Sequence, residues 1–295
     1  MSHELLRCAS RSLLCRLLLP GLVALGMTAS AQSAVEPAGN DIQLVAVQLT
    51  LNLDNYWTEE AFEASIRARM TEVASQLDPA VPALVTFPED VGLMLVVQGM
   101  QDRLAGLTSI EEAIGRAVRS NVVPLAWTSL ARRQSWVPAL FLHRHRDIAS
   151  TYFSVFSQAA RDHGVWLVAG SVILPPYEIK DGVVLWEEGP LEHRVYNSSY
   201  LFAPDGSVVG RQDKVELIEL EAEAALNLTP GSVEQLQVFE TAVGRIGIAI
   251  CLDAFSEEVV ERLTAQGAQI LVQPSANPAA WSQWQQEDWL RSAHA

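Results

Sequence analysis

Two hydrophobic periods alternate along this chain, and few architectures accommodate both. Short runs rich in branched aliphatic residues are typical of buried strands, and they occur at 42–49, 83–87, 165–169, 235–239, 245–250 and 269–273. Amphipathic segments lie between them, such as the one that begins at Thr58 and repeats apolar residues every three or four positions. A hairpin formed by 199–203 and 208–211 adds antiparallel pairing. We therefore predict an α/β fold in which a mixed sheet is covered by helices.

The middle of the chain is harder to interpret. A helix is predicted from about 150 to 163, because Gly164 follows where a helix commonly needs a left-handed cap. Residues 92–147 show a helical pattern only around 110–118 and are otherwise irregular. We interpret 92–147 as an insertion that serves as a lid or specificity loop.

The N-terminal segment 1–31 has the features of a secretory signal peptide. Three arginines precede the apolar run 17–27, and Ala29-Ser30-Ala31 supplies small residues at a cleavage-like spacing. The run is short for a membrane span, so we expect cleavage and a secreted or periplasmic protein, with an uncleaved membrane anchor as the alternative. Residues 32–40 then form a linker, and 41–295 form the folded domain.

Composition excludes several classes of protein. A chain of 295 residues with 49% apolar residues buries one substantial core. A formal net charge of −15 argues against a nucleic-acid partner and against a polybasic membrane-surface protein. Cys8 and Cys15 would leave with the signal peptide, so Cys251 would be the one cysteine of the mature chain, without a partner for an intramolecular disulfide.

Three residues with reactive side chains follow directly on predicted strands. Cys251 ends the run 245–250 at the turn into a helix, where neighbouring backbone N–H groups are placed to lower the thiol pKa or to bind an oxyanion. Glu89 lies at the rim of an apolar sheet, which raises the pKa of a carboxylate toward the range useful for a base. Lys214 follows the second strand of the hairpin.

Each of these residues also has an ordinary structural explanation. Cys251 fits a buried core cysteine, Glu89 a solvated loop acid and Lys214 a surface charge at a sheet edge. All three nevertheless stand at strand ends, and neighbouring strands lie about 4.8 Å apart. Three such ends can converge on one small substrate, which favours a shared site.

The residues around these positions resemble the nitrilase superfamily of carbon-nitrogen hydrolases. Phe87-Pro88-Glu89 is similar to the base motif of that family, Asp213-Lys214-Val215 to its lysine motif, and Ile250-Cys251-Leu252-Asp253 to its nucleophile elbow, in the family's order. The resemblance extends over 42–277. Further segments match the family in the same way: Val168-Ala169-Gly170-Ser171, Tyr196-Asn197-Ser198, Pro204-Asp205-Gly206 and Gln273-Pro274-Ser275-Ala276-Asn277.

The resemblance implies an α-β-β-α sandwich half and acyl transfer through a thioester. In that mechanism Glu89 takes the thiol proton and Cys251 attacks the carbonyl or nitrile carbon of a small substrate. Lys214 and the backbone N–H of Leu252 stabilise the developing negative charge. The resemblance also implies a homo-oligomer.

A second glutamate just beyond the lysine is a further feature of the family. Glu221 is our candidate, with Glu219 and Glu223 as alternatives, because acids recur over 216–223 as they also would on a solvated face. The choice among these three acids depends on which one the fold turns toward Lys214.

Other activities are weighed against the hydrolase interpretation. The chain stops soon after Trp289, where family members continue into further strands, so a C-terminally truncated, catalytically silent fold that binds a ligand stays open. An amide-forming acyltransferase and a true nitrilase are alternatives within the superfamily. No cofactor or metal is expected, because His143 and His145 lie among arginines without carboxylates at metal-binding spacing.

Overall fold

The computed structural model describes residues 41–277, apart from 105, 108, 109, 133 and 223–225. This part of the chain forms the helices α1 (Glu59–Ala74), α2 (Gln101–Leu104), α3 (Ile110–Ser120), α4 (Val122–Arg132), α5 (Trp136–His163) and α6 (Glu257–Ala265). Its strands are β1 (Gln43–Ala46), β2 (Ala83–Thr86), β3 (Trp166–Val168), β4 (Val172–Leu174), β5 (Ile179–Lys180), β6 (Val183–Val184), β7 (Tyr196–Phe202), β8 (Val208–Asp213), β9 (Val238–Thr241), β10 (Gly244–Ile248) and β11 (Ile270–Val272). The predicted signal peptide and linker lie outside the described residues.

The strands form two mixed sheets and one small hairpin. In the larger sheet β1, β2 and β3 are parallel neighbours, whereas β7 runs antiparallel to β3, β4 and β8. The smaller sheet has β10 at its centre, parallel to β11 and antiparallel to β9. β5 and β6 pair only with each other among the described strands. The prediction of a mixed sheet is therefore confirmed.

Apolar side chains order the two sheets and the helices into four layers. The main core joins α1 and α5 to the larger sheet. A second core lies between the sheets, with Leu84 and Leu201 from the larger sheet beside Ile246 and Ile248 from the smaller. α6 packs on the smaller sheet through a third core that includes Ala249. Because successive strand residues point to opposite faces, Ile248 and Ala249 serve different cores, and the predicted α-β-β-α architecture is confirmed.

The first helix and the long hairpin follow the sequence pattern closely. Thr58 caps α1, its hydroxyl accepting a bond of 3.1 Å from the Ala61 N–H, and the residues spaced three or four apart behind it are buried. In the hairpin, β7 and β8 pair in antiparallel register with an irregularity between Leu201 and Phe202. Gly164 adopts the left-handed conformation at the end of α5, as predicted.

The predicted start of the helix at about residue 150 is wrong. α5 begins fourteen residues earlier, at Trp136, and is 28 residues long. Pro138 lies in its first turn, where a missing N–H breaks no helical hydrogen bond, and Pro124 has the same position in α4. The segment 92–147 is therefore largely helical, and its interpretation as an insertion stays a prediction. In the described part of the chain, none of the helices combines the length and the apolar character needed to cross a membrane.

Candidate active site

Glu89 is positioned by a loop that packs closely against the end of β3. The loop continues β2, and the Phe87 N–H donates to the Val168 carbonyl oxygen at 2.9 Å. Gly170 has a φ of +59°, and a Cβ on it would collide with the Pro88 carbonyl oxygen, so only glycine allows this approach. The resulting contact holds the Glu89 side chain in a buried position, with 4% of its surface exposed.

Lys214 is buried at the end of β8, with only 1% of its surface exposed. Its backbone N–H donates to the Asn197 carbonyl oxygen at 2.9 Å, which extends the pairing of β7 and β8 by one residue. Its carbonyl oxygen accepts from the Gly231 N–H at 2.7 Å. Both backbone groups are thereby fixed, and the ammonium group projects into the interior instead of into solvent.

The Lys214 ammonium group bridges two buried carboxylates. Its Nζ lies 2.7 Å from Glu89 Oε1 and 2.5 Å from Glu221 Oε2. The Glu221 side chain is 6% exposed. A buried charge is stable only when it is paired and hydrogen-bonded, and this group of three satisfies that requirement. Of the alternatives to Glu221, Glu219 is exposed, and Glu223 lies outside the described residues.

Asn197 joins the two carboxylates from a second direction. Its Nδ2 donates to Glu89 Oε1 at 3.1 Å and to Glu221 Oε1 at 2.6 Å, and the residue is fully buried on β7. The other oxygen of Glu89 accepts a bond of 3.1 Å from the Ala276 N–H. In the sequence, both residues lie within segments similar to the family, but no role was predicted for either. Each motif nevertheless contained the residue that contacts Glu89.

Cys251 stands at a strained bend beside these groups. It is the third residue after β10, opens a 3₁₀ helix (Cys251–Phe255) and has a φ of +50°, which is unusual for a residue other than glycine. Its N–H donates to the Pro274 carbonyl oxygen at 2.8 Å, and its own carbonyl accepts from Gln273 Nε2 at 2.8 Å. The thiol is half-buried, and the neighbouring Glu89 and Ser275 side chains act on its pKa.

Asp253 connects the cysteine bend to the lysine loop. Its buried carboxylate accepts from the Glu216 N–H at 2.7 Å, from the Val215 N–H at 3.0 Å and from the Ile250 N–H at 3.2 Å. These three bonds therefore hold Val215 and Glu216, which follow Lys214, against the bend between Ile250 and Asp253 that carries the thiol. The sequence contained this residue in the elbow motif, but its separation from Val215 along the chain concealed the contact.

The charges of the site act on one another through a dry interior. Burial raises the pKa of Glu89, and the positive charge and hydrogen bond of Lys214 oppose that rise. Burial alone lowers the pKa of Lys214, but the charges of Glu89 and Glu221 and their hydrogen bonds outweigh it, and the pKa is raised. Lys214 is therefore held in its protonated form at neutral pH.

The expectation that the cysteine bend lowers the thiol pKa is wrong. Burial, followed by the negative charge of Glu89, raises the pKa of Cys251 to about 11, and the charge of Lys214 only partly opposes this. The thiol is thus protonated at neutral pH. An attack by the sulfur needs a base to remove its proton, and Glu89 is the carboxylate whose charge acts most strongly on the thiol.

The remaining sequence candidates lie in different environments. Leu252 is the second residue of the 3₁₀ helix, where a backbone N–H has no partner within the helix, so its predicted oxyanion role stays a prediction. His145 Nδ1 lies 2.8 Å from the Tyr177 hydroxyl, and His143 is exposed, both on α5. Within the described ranges, no three His, Cys, Asp or Glu side chains are grouped to hold a metal ion.

Glu221 and Glu219 offer a matched pair for testing which acid serves Lys214. We expect Glu221→Gln to lower kcat about a hundredfold, because Lys214 loses one of its two carboxylate partners and a small displacement of a reacting group is costly. Glu219→Gln should leave kcat unchanged, because that side chain is exposed. Steady-state rates of both variants, at equal folded fraction, make the comparison. Equal losses in the two variants would show that Glu221 has no special role.

This protein is an α/β protein with four layers. It carries a site at its strand ends, formed by buried carboxylates, a lysine and a thiol. The chain belongs to the carbon-nitrogen hydrolase family, since the sequence profile of that family matches residues 96–295, more than half of its length. The matched region contains Lys214, Glu221 and Cys251, whereas Glu89 precedes it. The predicted resemblance to the nitrilase superfamily is confirmed.

Individual relatives show the same relationship at low identity. An omega-amidase of Danio rerio is 27% identical over 185 residues, which covers 59% of this chain and 59% of the relative. A deaminated glutathione amidase of Homo sapiens is 25% identical over 230 residues, covering 72% of this chain and 66% of the relative. The chain thus spans about three fifths to two thirds of the length of these curated relatives.

Solved structures resemble the chain more distantly. A carbon-nitrogen hydrolase from Helicobacter pylori G27 covers 84% of this chain and 66% of its own, with 18% identity and a TM-score of 0.49. The family assignment rests on the sequence match and not on this likeness.

Proposed function

We propose that the protein hydrolyses the carbon–nitrogen bond of a small amide through a thioester on Cys251, with Glu89 as general base and Lys214 as the cation that stabilises negative charge. One observation carries the proposal: a buried ammonium group bridges two carboxylates, and the charge of one of them, Glu89, acts on a neighbouring half-buried thiol. The relatives named above are amidases, which favours an amide over a nitrile as substrate.

The first half-reaction forms the acyl-enzyme. Glu89 takes the proton from the Cys251 sulfur while the sulfur attacks the carbonyl carbon, and the carbonyl oxygen becomes an oxyanion. An ammonium group has three N–H donors, and two of those on Lys214 serve Glu89 and Glu221. The third is available for the oxyanion, together with the Leu252 N–H. Glu89 then protonates the leaving nitrogen as the carbon–nitrogen bond breaks, and ammonia or an amine departs.

The second half-reaction restores the thiol. Glu89 removes a proton from water as the water oxygen attacks the thioester carbon. The carbon–sulfur bond breaks, Glu89 returns its proton to the sulfur, and the carboxylic acid leaves. The sum is amide plus water giving acid plus ammonia, with Glu89, Lys214 and Cys251 unchanged.

A panel of small amides and nitriles tests the proposal. We expect ammonia release from amides in water and little or none from the matching nitriles. An amine added as competing acceptor distinguishes hydrolysis from acyl transfer, because a transferase would form the new amide in preference to the acid. Binding of the amides without release of ammonia, in a protein with an intact Cys251, would contradict the proposal and support a catalytically silent binding protein.

The raised pKa of Glu89 predicts the acid limb of the pH–rate profile. Glu89 accepts a proton only when it is ionised, so kcat/KM falls as the pH is lowered through the pKa of this carboxylate. Because burial raises that pKa, activity is lost at a higher pH than the value of about 4.3 at which an exposed glutamate titrates. The measurement is kcat/KM from about pH 4 to 9, with far-UV circular dichroism to establish that the chain stays folded. A limb at or below the ordinary glutamate value would contradict a raised pKa for the base.

A further inference from the structure

Helix α4 presents an apolar face to solvent. Val123, Trp127 and Leu130 are 84%, 75% and 78% exposed, respectively. They are spaced four and three residues apart and therefore lie on one side of the helix. Leu125, on the opposite side, is fully buried and anchors α4 to the main core. Scattered exposed apolar residues need no explanation, but three large ones on a single helix face indicate a contact surface.

The charge of the surrounding segment is opposite to that of the whole chain. Residues 113–146, from the middle of α3 to the first half of α5, contain six arginines and no aspartate or glutamate, although the whole chain has a net charge of −15. Arg116 and Arg119 on α3 are exposed. The net charge of the chain, which argued against a membrane-surface protein, therefore conceals a local basic region around an apolar helix face.

We propose that α4 is a membrane-binding helix that lies in the interface of an anionic phospholipid surface. Val123, Trp127 and Leu130 enter the boundary between headgroups and acyl chains, and the exposed Arg116 and Arg119 of the neighbouring helix α3 face the lipid phosphates. Interfacial helices combine an apolar face that contains Trp or Leu with basic residues. Tryptophan favours this depth because its ring is apolar and its N–H is polar. The proposal is independent of the catalytic one, since the described site residues lie outside α4.

A second copy of this chain fits the surface less well. An eleven-residue helix is about 16 Å long and about 10 Å wide, which is far below the area of about 800 Å² per partner that a stable interface needs. A two-fold symmetric contact would also place the same arginine-rich segment of both copies together. Anionic lipid, in contrast, complements the positive charge and needs only a shallow apolar insertion.

Vesicle binding by matched variants of the full chain tests the proposal. The test variant carries Val123→Ser, Trp127→Ser and Leu130→Ser. The control variant carries Leu44→Ser, Val183→Ser and Leu191→Ser, which remove apolar side chains that are 61%, 58% and 67% exposed elsewhere. Both variants keep the same N-terminal apolar run, so a difference between them reports on α4 alone. The vesicles contain phosphatidylcholine with phosphatidylglycerol at about 3:1, or phosphatidylcholine only.

We expect the wild type and the control variant to sediment with the anionic vesicles. The test variant should bind at least about tenfold more weakly. Binding should also weaken in about 0.5 M salt, because the arginine contribution is screened. Equal partitioning of the test and control variants would overturn the proposal. A second result would also overturn it. In that result, light scattering shows that the wild type is a dimer and the test variant a monomer, while both partition equally onto the vesicles.

A second measurement covers the case in which the triple variant fails to fold. Phospholipids brominated on their acyl chains quench tryptophan fluorescence at short range. The quenching of the wild type by anionic brominated vesicles should fall in Trp127→Phe, a conservative change on an exposed position. Quenching that is the same in wild type and Trp127→Phe would show that this helix face does not enter the bilayer.

Discussion

Replacement of Cys251 by alanine is expected to lower turnover by at least about a thousandfold, because removal of the nucleophile leaves only binding and oxyanion stabilisation. The fold should persist. The substitution removes a single sulfur atom from a half-buried position, so the free energy of unfolding should change by about 1 kcal/mol or less. Release of ammonia from an amide and a chemical denaturation curve measure the two effects on the same preparation.

The chain provides its own control for this substitution. Made in the full chain that retains the predicted signal peptide, Cys8→Ala and Cys15→Ala remove the other two cysteines, and both variants should keep the activity of the wild type. Substantial turnover in Cys251→Ala would contradict the thioester mechanism, even if the motifs around this residue match the family.

Loss of the buried ammonium group should have the largest effect on stability. Lys214→Met removes the positive charge between Glu89 and Glu221, and both carboxylates are then left in a dry interior. Breaking a buried ion pair by removing one partner costs about 3–5 kcal/mol. We expect a decrease of that size in the free energy of unfolding at neutral pH, together with loss of activity.

The pH dependence of this loss has a definite sign. Without Lys214 the folded-state pKa of Glu89 rises further above its unfolded value, so protonation favours the folded variant. The difference in stability between wild type and Lys214→Met should therefore be greatest at neutral pH. It should shrink as the pH is lowered toward the ordinary glutamate pKa of about 4.3.

Lys180 is the matched control, since it is the other lysine of the chain and is exposed on β5. Lys180→Met should change stability and activity little, because an exposed charge on a surface strand contributes about 1 kcal/mol or less. A double variant, Lys214→Met with Glu221→Gln, should regain part of the lost stability, because one of the two unpaired charges is removed. If Lys214→Met were as stable as Lys180→Met, the buried pair would not exist in solution.

The sequence was sufficient to predict the class of fold because periodicity is a local property. The spacing of apolar residues along a short segment predicts strands and amphipathic helices. The elements α1, β2 and the β7–β8 hairpin occur where this spacing predicts them. The start of α5 was missed because its first half contains Pro138 and a cluster of basic residues, which look irregular by composition. In the structure that proline occupies a first turn, where it is harmless.

The site was predictable in its chemistry but not in its supporting contacts. The positions of Glu89, Lys214 and Cys251 directly after strands indicated that their side chains meet, since strand ends share an edge. Asn197 and Asp253 gave no comparable signal. Their contacts depend on the register of β7 with β8 and on the path of the chain after Lys214, and such long-range relations are not encoded in any short window of sequence.

The thiol pKa shows why local reasoning failed at one point. A cysteine that begins a helical turn is commonly acidified by nearby N–H groups, and the sequence suggested this for Cys251. Burial and the adjacent Glu89 carboxylate outweigh those groups and raise the thiol pKa to about 11. In the proposed mechanism, the same carboxylate suppresses ionisation of the thiol at rest and removes its proton during attack.

Mapping of the acyl group after reaction with an activated ester tests the central claim most directly. An ester with a good leaving group acylates quickly, so the intermediate accumulates before water hydrolyses it. We predict a burst of about one leaving group per chain, with the added mass of the acyl group found on the peptide that contains Cys251. An acyl group on another residue, or a burst of equal size in Cys251→Ala, would contradict a thioester at this site.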